Sequence, residues 1–287
     1  MSWKTFAVLS MISIIIAQIV MKKASDRAEN KAIGIFYQYL AAALLAWLFW
    51  FLLGPQKLEL GFLLVALTGL VNSAGNYYQW RAYGLSLSKT SLFFPLIGII
   101  VVIPAVIFLG ESYVWNAQMF TGLLFYFAAI LVFFREQIKS TDTGGSNWLF
   151  YTLAMVVILT ITNFALKLFA LNLIFVTNFV IFWYTGSLAG SLFLLWKERQ
   201  NPIKVSRQNL AWFSAVGVGL IVTISLGYQS LGLGAPLSQL GPLHGMASSV
   251  IPSAVGLVLF QEAKKFSLRD WLGFALGLVA AILILLR

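Results

Sequence analysis

Long apolar runs follow one another along almost the whole chain, and they constrain the fold more than any other feature of the sequence. A helix of about 20 apolar residues is long enough to cross the ~30 Å hydrocarbon core of a bilayer. Ten such runs occur, at 5–21, 33–54, 60–80, 90–110, 117–134, 147–166, 173–196, 210–231, 235–260 and 271–286. They predict an all-α membrane protein with ten transmembrane helices.

The composition agrees with a bilayer as the solvent. Hydrophobic residues make up 60% of the chain and charged residues 10%, with a mean hydropathy of +0.90. A transmembrane β-barrel would show stretches of about ten residues with alternating polarity, whereas these runs are continuously apolar. The first run leads into Met21-Lys22-Lys23 without a small-residue cleavage site, so we expect a retained helix rather than a signal peptide. The absence of cysteine excludes disulfides and thiolate metal sites.

Basic residues are distributed unevenly between the two sides of the predicted membrane protein. Of the 19 lysines and arginines, 15 lie in or beside the loops that follow the odd-numbered spans. The remaining four are Lys4, Lys57, Lys167 and Arg287. Because cytoplasmic loops collect lysine and arginine, this bias places both termini outside. It also explains the net charge of +10 without a nucleic-acid partner.

A stripe of amides in the third span is the first candidate site. Asn72, Asn76 and Gln79 follow at steps of four and three, so they share one helix face, and Tyr77 flanks them. Amides offer both donors and acceptors, which suits a small polar or zwitterionic organic substrate. The alternative is that these amides only bond a neighbouring helix, each for about 1 kcal/mol or less. In either case the stripe must face protein or water rather than lipid.

The second half of the chain repeats this plan in weaker form. Tyr228 takes the place of Tyr77, at a spacing of 151 residues. His244, the only histidine, lies in the Gly/Pro-containing run 241–245, which can loosen the start of the ninth span. We expect both side chains to line a cavity, although a lone histidine can also be a buried structural group. No second histidine, cysteine or acid nearby completes a metal site.

Each half also opens with a helix that carries an amide four residues before a lysine. Gln18 precedes Lys22, and Asn163 precedes Lys167, so each pair lies on one helix face. We expect Gln18, Asn163 and Lys167 to contribute to the same site. The alternative is a lysine that reaches the membrane surface and an amide that bonds another helix.

These correspondences predict an internal repeat. The spacing is 145 residues from Lys22 to Lys167 and 151 from Glu111 to Glu262. We place the halves at 1–138 and 145–287, around the Gly/Ser/Thr-rich break at 140–146. Five spans in each half is an odd number, so the halves have opposite orientations in the membrane. Polar segments interrupted by glycine and proline at matching positions of two halves are typical of a transport site.

In these features the whole chain resembles the drug/metabolite transporter superfamily, in its ten-helix EamA-like form. The features are the two five-span repeats, the lysines Lys22 and Lys167, the proline-bearing fourth helices with Pro95 and Pro252 that end in Gly110-Glu111 and Gln261-Glu262, and the glycines Gly122 and Gly273 that open the fifth helices. The resemblance implies an alternating-access carrier whose cavity is lined by the first, third and fourth helices of each repeat. It also implies termini inside the cell, opposite to the charge bias.

Together these features predict a secondary transporter of the plasma (inner) membrane for a small organic metabolite, such as an amino acid or a related compound. It would act as an exporter, facilitator or exchanger. One alternative is a proton-coupled multidrug or phosphorylated-sugar transporter, although the first span lacks the acid that small multidrug relatives carry there. An alternative of another class is a non-transporting receptor or structural subunit.

An enzyme is not expected from this sequence. Membrane-embedded hydrolases or transferases need paired acids, a nucleophile with its base or a metal cluster, and the spans contain none of these patterns. We therefore expect no cofactor and no metal. The expected partners are a small-molecule substrate and the lipid bilayer, with the protein a monomer or a homodimer.

The charge bias makes the orientation of the chain testable. We expect that a reporter that functions only outside the cytoplasm is active when it is fused to Arg287, and that a reporter that functions only in the cytoplasm is inactive there. A C-terminal reporter that is active only in the cytoplasm would contradict this orientation and agree with the orientation that the resemblance implies.

Overall fold

The chain folds into α-helices, and no strand occurs among the residues that the structure describes. The computed structural model describes residues 2–53, 61–111, 117–139, 147–172, 174–201 and 205–285. The helices are α1 (Trp3–Arg27), α2 (Lys31–Leu53), α3 (Gly61–Leu85), α4 (Leu87–Ser91), α5 (Phe94–Ile100), α6 (Val102–Leu109), α7 (Ala117–Lys139), α8 (Trp148–Leu171), α9 (Val176–Lys197), α10 (Arg207–Gly232), α11 (Leu237–Val258) and α12 (Leu268–Leu285), with a 3₁₀ helix at Glu262–Lys265. The predicted break at 140–146 lies outside the described residues.

Six helical segments are long and apolar enough to cross a membrane. They are Trp3–Arg27, Lys31–Leu53, Leu87–Leu109, Trp148–Leu171, Val176–Lys197 and Arg207–Gly232. The other four predicted spans are also helical, at α3, α7, α11 and α12. The chain is therefore an α-helical, multi-pass membrane protein, while the full count of ten crossings stays a prediction.

The fourth predicted span consists of three short helices rather than one. Pro95 lies in the first turn of α5, and Pro104 lies in the first turn of α6, where a missing N–H group is tolerated. By contrast, α11 continues through both Pro242 and Pro252. Proline therefore interrupts the fourth span but not the ninth, which leaves the fourth span with extra helix ends inside the protein.

The central helices pack in pairs. Helix α1 runs along α10, and α3 runs along both α8 and α9. Helix α2 packs against α9 and α10, while α4 and α5 pack against α11. Helices α7 and α12 pack mainly on each other, at the side of this group.

Glycines allow the closest of these crossings. A Cβ on Gly186 would lie 1.8 Å from the carbonyl oxygen of Ala66, and one on Gly69 would lie 2.1 Å from that of Trp183, so α3 and α9 touch backbone to backbone. Small residues at this crossing thus allow α3 and α9 to pack closely. On α12, a Cβ on Gly273 would meet the Phe133 ring of α7 at 2.9 Å, so this glycine serves packing within the chain.

This contact predicts a selective effect of adding one methyl group. Gly186→Ala should lower the free energy of unfolding by about 1–3 kcal/mol, because the backbone of α3 cannot move aside without disturbing its other contacts. Thermal unfolding of the purified protein would measure the loss. Gly61→Ala is the control, since its new Cβ meets nothing within 4 Å; equal stability of the two variants would contradict the packing described here.

Candidate functional site

A cavity of about 170 Å³ lies among the central helices. Its wall combines residues of α1, α2, α3, α5, α8, α9, α10 and α11. The polar members of the wall are Ser10, Tyr39, Asn72, Asn76, Gln79, Asn163, Tyr184, Thr223, His244 and Ser248. The apolar members include Ile14, Phe94, Ile97, Val101, Leu159, Leu166, Leu220, Ile224, Leu231, Leu237 and Leu240. The wall is therefore mixed, with hydroxyls, amides, phenols and one imidazole on an aliphatic background.

Five of the residues that the sequence indicated line this cavity. They are Asn72, Asn76, Gln79, Asn163 and His244. Within the amide stripe, Asn72 Nδ2 donates to Tyr39 Oη at 3.2 Å, and Asn76 Nδ2 donates to the carbonyl oxygen of Asn72 at 3.2 Å. The stripe thus faces the protein interior, as the cost of exposing amides to lipid requires.

Tyr77 lies outside the cavity wall, contrary to expectation. It follows Asn76 by one residue and so points about 100° away around the helix. Its hydroxyl donates to the carboxylate of Glu198 at the end of α9. Arg81 Nη2 lies 2.7 Å from the same carboxylate and its guanidinium lies 4.7 Å from the Tyr77 ring. This cluster joins helix ends.

Tyr228 also faces away from the cavity. Its ring stacks on Phe179 of α9 with the centroids 4.0 Å apart, and its hydroxyl donates to the carbonyl oxygen of Ile174 at 2.7 Å. Although Tyr77 and Tyr228 have matching positions in the sequence, neither lies in the cavity wall, and their contacts with the region of α9 differ.

Gln18 and Lys167 complete the set of predicted site residues, and both lie beside the cavity rather than in its wall. Gln18 is fully buried, and neither side-chain amide atom has a hydrogen-bond partner among the described residues. Lys167 donates to the carbonyl oxygen of Ala235 at 2.8 Å and lies 3.6 Å from Glu111. The lysine belongs to a capping arrangement at one end of the cavity.

That arrangement holds the N-terminus of α11. Glu111 Oε1 accepts from the backbone N–H of Leu237 at 3.0 Å, and Oε2 accepts from that of Ser238 at 2.7 Å. Gly110, with φ 63°, ends α6 in a left-handed conformation and turns the carboxylate toward α11. The first N–H groups of a helix have no partner within the helix, so a carboxylate is well suited to this position.

The other end of the cavity has the same arrangement. Glu262 Oε1 accepts from the backbone N–H of Leu87 at 2.8 Å, and Oε2 accepts from that of Ser88 at 2.9 Å, at the start of α4. Lys22 Nζ lies 3.5 Å from Glu262. Gln261, with φ 53°, takes the left-handed conformation that Gly110 takes before Glu111. Each lysine and glutamate that the sequence singled out thus belongs to one of two caps, which we call the Glu262 cap and the Glu111 cap.

Charge is confined to the ends of this site. No aspartate, glutamate, lysine or arginine occurs among the described residues of the cavity wall. At the Glu262 end, burial alone would raise the pKa of the Glu262 carboxyl. Hydrogen bonds from the Ser88 side chain and from the backbone N–H groups of Ser88 and Leu87, with the charge of Lys22, hold that pKa below its usual value.

Tyr39 and Tyr184 are wall residues that the sequence reasoning missed. Their ring centroids are 6.2 Å apart, on α2 and α9. They are 145 residues apart in the sequence, the same spacing as Lys22 and Lys167, and this correspondence is the signal that could have identified them. Tyr184 is only 1% exposed, and its hydroxyl has no hydrogen-bond partner among the described residues.

The lowered pKa of Glu262 predicts a pH effect on stability. A carboxyl whose pKa is lower in the folded than in the unfolded state stabilises the fold fully above its unfolded pKa and loses this effect as pH falls through its folded pKa. We therefore expect the thermal stability of the wild type to fall with pH below about 4.5. Glu262→Gln should be less stable by about 1–3 kcal/mol at neutral pH and should show a flatter acid profile.

The exposed Glu29 supplies the matched control. Glu29→Gln changes the net charge by the same amount but should leave both the neutral stability and the acid profile close to those of the wild type. If the two variants had the same acid profile, the ionised cap would not contribute to stability.

Comparison with known proteins finds the fold but no family. No family model and no curated protein matches the chain. The chain matches 26 solved chains. One of them, a crystal structure, has a TM-score of 0.60 over 98% of this chain and 96% of its own, at 15% sequence identity. At that identity the likeness shows a shared fold alone.

Proposed function

We propose that this chain is a secondary transporter of the drug/metabolite transporter superfamily, in its ten-helix EamA-like form. It moves a small organic metabolite, such as an amino acid or a related compound, across the plasma membrane by alternating access. The observation that carries the proposal is the uncharged cavity at the centre of a membrane protein, with amides, hydroxyls and phenols on an aliphatic wall and a capped helix N-terminus at each end.

The composition of the cavity wall supports two inverted repeats. Residues at equal spacings in the two halves meet in the same wall. At 145 residues these are Ile14 with Leu159 and Tyr39 with Tyr184, and at 151 residues they are Asn72 with Thr223 and Asn76 with Gly227. A two-fold relation between 1–138 and 145–287 accounts for this pairing in a single cavity.

The helix packing supports the same relation. If α1 corresponds to α8 and α3 to α10, the contact of α1 with α10 has its counterpart in the contact of α3 with α8. The pairs α2 with α9, α5 with α11 and α7 with α12 would each join an element to its own counterpart. Pseudo-symmetry of this kind gives a transporter two similar conformations that open toward opposite sides.

The two caps supply the ends that open in turn. Each joins a lysine from the first helix of one half to a carboxylate that follows the fourth helix of the other half. We propose that substrate enters when one cap separates while the other holds its helix pair together. Ion pairs and cap hydrogen bonds at the cavity ends can then re-form after the substrate has left.

The size and charge of the cavity favour a small metabolite over the alternative substrates. Pockets for drug-sized ligands have volumes of roughly 300–1,000 Å³, whereas this cavity has about 170 Å³. A phosphorylated sugar would require cationic partners, and the described residues of the wall include no lysine or arginine.

The positions of the acids bear on proton coupling. The aspartates and glutamates whose side chains the structure describes lie at helix ends or in loops, so none of them can carry protons at the middle of the membrane. We therefore favour a facilitator or exchanger.

The test begins with a thermal-shift screen of the purified protein against amino acids, nucleobases, sugar phosphates and cationic dyes. A ligand at about 100 times its dissociation constant should raise the stability by about 2.7 kcal/mol. The stabilising compound should then cross the membrane of sealed proteoliposomes down its concentration gradient. The rate of this transport should be at least about tenfold lower in Asn72→Ala and in Asn76→Ala than in the wild type. An imposed pH gradient at fixed voltage should not drive its accumulation.

Gln208→Ala removes an exposed amide at the start of α10 and serves as the control, with flux equal to the wild type. Binding without any flux would favour the receptor alternative. Accumulation driven by the pH gradient would instead favour a proton-coupled carrier, with His244 as the first residue to examine.

A further inference from the structure

Two polar groups in the cavity wall lack partners within the described part of the chain. The Tyr184 hydroxyl and His244 Nε2 are both buried, and neither has a hydrogen-bond partner among the described residues. Both residues line the cavity, from α9 and α11 respectively. Buried polar groups are almost always paired, so two unpaired groups that share one cavity indicate that something else pairs them there. A bound solute meets this need.

The charge distribution restricts the kind of solute. No aspartate, glutamate, lysine or arginine occurs among the described residues of the wall, and Lys22 and Lys167 lie beside Glu262 and Glu111 in the caps. A solute with a net charge would enter a poorly polarisable environment without a counter-charge, which is costly. Amides, hydroxyls and phenols both donate and accept hydrogen bonds, so they pair well with polar groups of the solute that need no cationic or anionic partner.

The apolar part of the wall restricts the body of the solute. Branched aliphatic side chains predominate there, including Ile14, Leu159, Leu220 and Ile224, and Phe94 is the one phenylalanine among the described wall residues. A solute with an aliphatic portion of a few carbons would cover these side chains and remove their surface from water, while its polar groups bond to the amides and phenols.

We propose that the cavity binds a small solute of no net charge, with hydrogen-bonding groups on an aliphatic body, and that Tyr184 and His244 contact its polar groups. This inference depends on the proposed transport function for the role of the cavity, and it adds the class of substrate and two contact residues. An uncharged compound belongs to this class, and so does a zwitterion, because its two opposite charges lie close together and compensate each other without a counter-charge from the protein.

Four leucine derivatives test the class, because they share one side chain and differ in charge. L-leucine is a zwitterion, N-acetyl-leucinamide is uncharged, N-acetyl-leucine is an anion, and leucinamide is a cation at about pH 6.5. We expect the first two to raise the melting temperature of the purified protein and to bind in calorimetry. The two charged derivatives should bind at least about tenfold more weakly.

Single substitutions test the two contact residues. Tyr184→Phe should weaken binding of N-acetyl-leucinamide roughly 3- to 10-fold while the unliganded protein stays as stable as the wild type, since it removes only an unpaired hydroxyl. His244→Leu should weaken binding similarly, and His244→Gln should retain part of it, because the glutamine amide can occupy the place of Nε2.

Tyr126→Phe is the matched control. Tyr126 is 2% exposed and its hydroxyl also lacks a partner among the described residues, but it lies on α7, outside the cavity wall. Removing this hydroxyl should leave the affinity unchanged. The control separates the loss of a ligand contact from a general effect of deleting a buried phenol oxygen.

Three results would overturn the proposal: equal or tighter binding of a charged derivative, wild-type affinity in Tyr184→Phe, or no binding of any of the four compounds. Failure of the transport function has a different outcome. Binding in the expected order without flux in sealed vesicles would refute transport and leave the ligand class standing. Flux of a charged derivative alone would leave transport standing and refute the ligand class.

Discussion

The structure depends on the placement of two carboxylates at helix N-termini within a membrane protein. An ionised carboxylate in a poorly solvated place is costly unless hydrogen bonds and an opposite charge compensate it. Glu262 receives two backbone N–H groups from the start of α4, and Glu111 receives two from the start of α11, each with a lysine within 4 Å. Since each carboxylate holds a helix distant in sequence, the two caps join elements that no connecting loop holds together.

The caps also explain why the centre can stay uncharged. They use the two buried lysines, Lys22 and Lys167, at the ends of the cavity and leave neutral groups to line it. Between the caps, Asn72 bonds Tyr39, while the Tyr184 hydroxyl stays unpaired within the described part of the chain. Helix ends are thus fixed by strong, charge-assisted contacts, and the interior is held by weaker ones that a solute can replace. This division suits a protein that must open at either end without losing its central packing.

Much of the helical organisation could be predicted from the sequence. The length of each apolar run indicates a membrane-spanning helix, and the spacing of the amides indicates which face of the helix they share. The same reasoning placed Asn72, Asn76 and His244 correctly against the cavity. It misplaced Tyr77, because one residue rotates a side chain by about 100° around a helix. It missed Tyr184, since a single tyrosine in an apolar run shows no helical period and only its spacing of 145 residues from Tyr39 marks it. The partners of Glu262 were equally hidden, because they are backbone groups some 175 residues away.

The central claim, that one cavity opens alternately at its two caps, is most directly tested by thiol accessibility. The chain has no cysteine, so Ser248→Cys places a single thiol in the cavity wall. A membrane-impermeant reagent should label it from either side of oriented vesicles. Glu111→Gln should raise labelling from the side of the Glu111 cap, and Glu262→Gln should raise it from the opposite side. Labelling from one side only, whichever cap is weakened, would contradict alternating access.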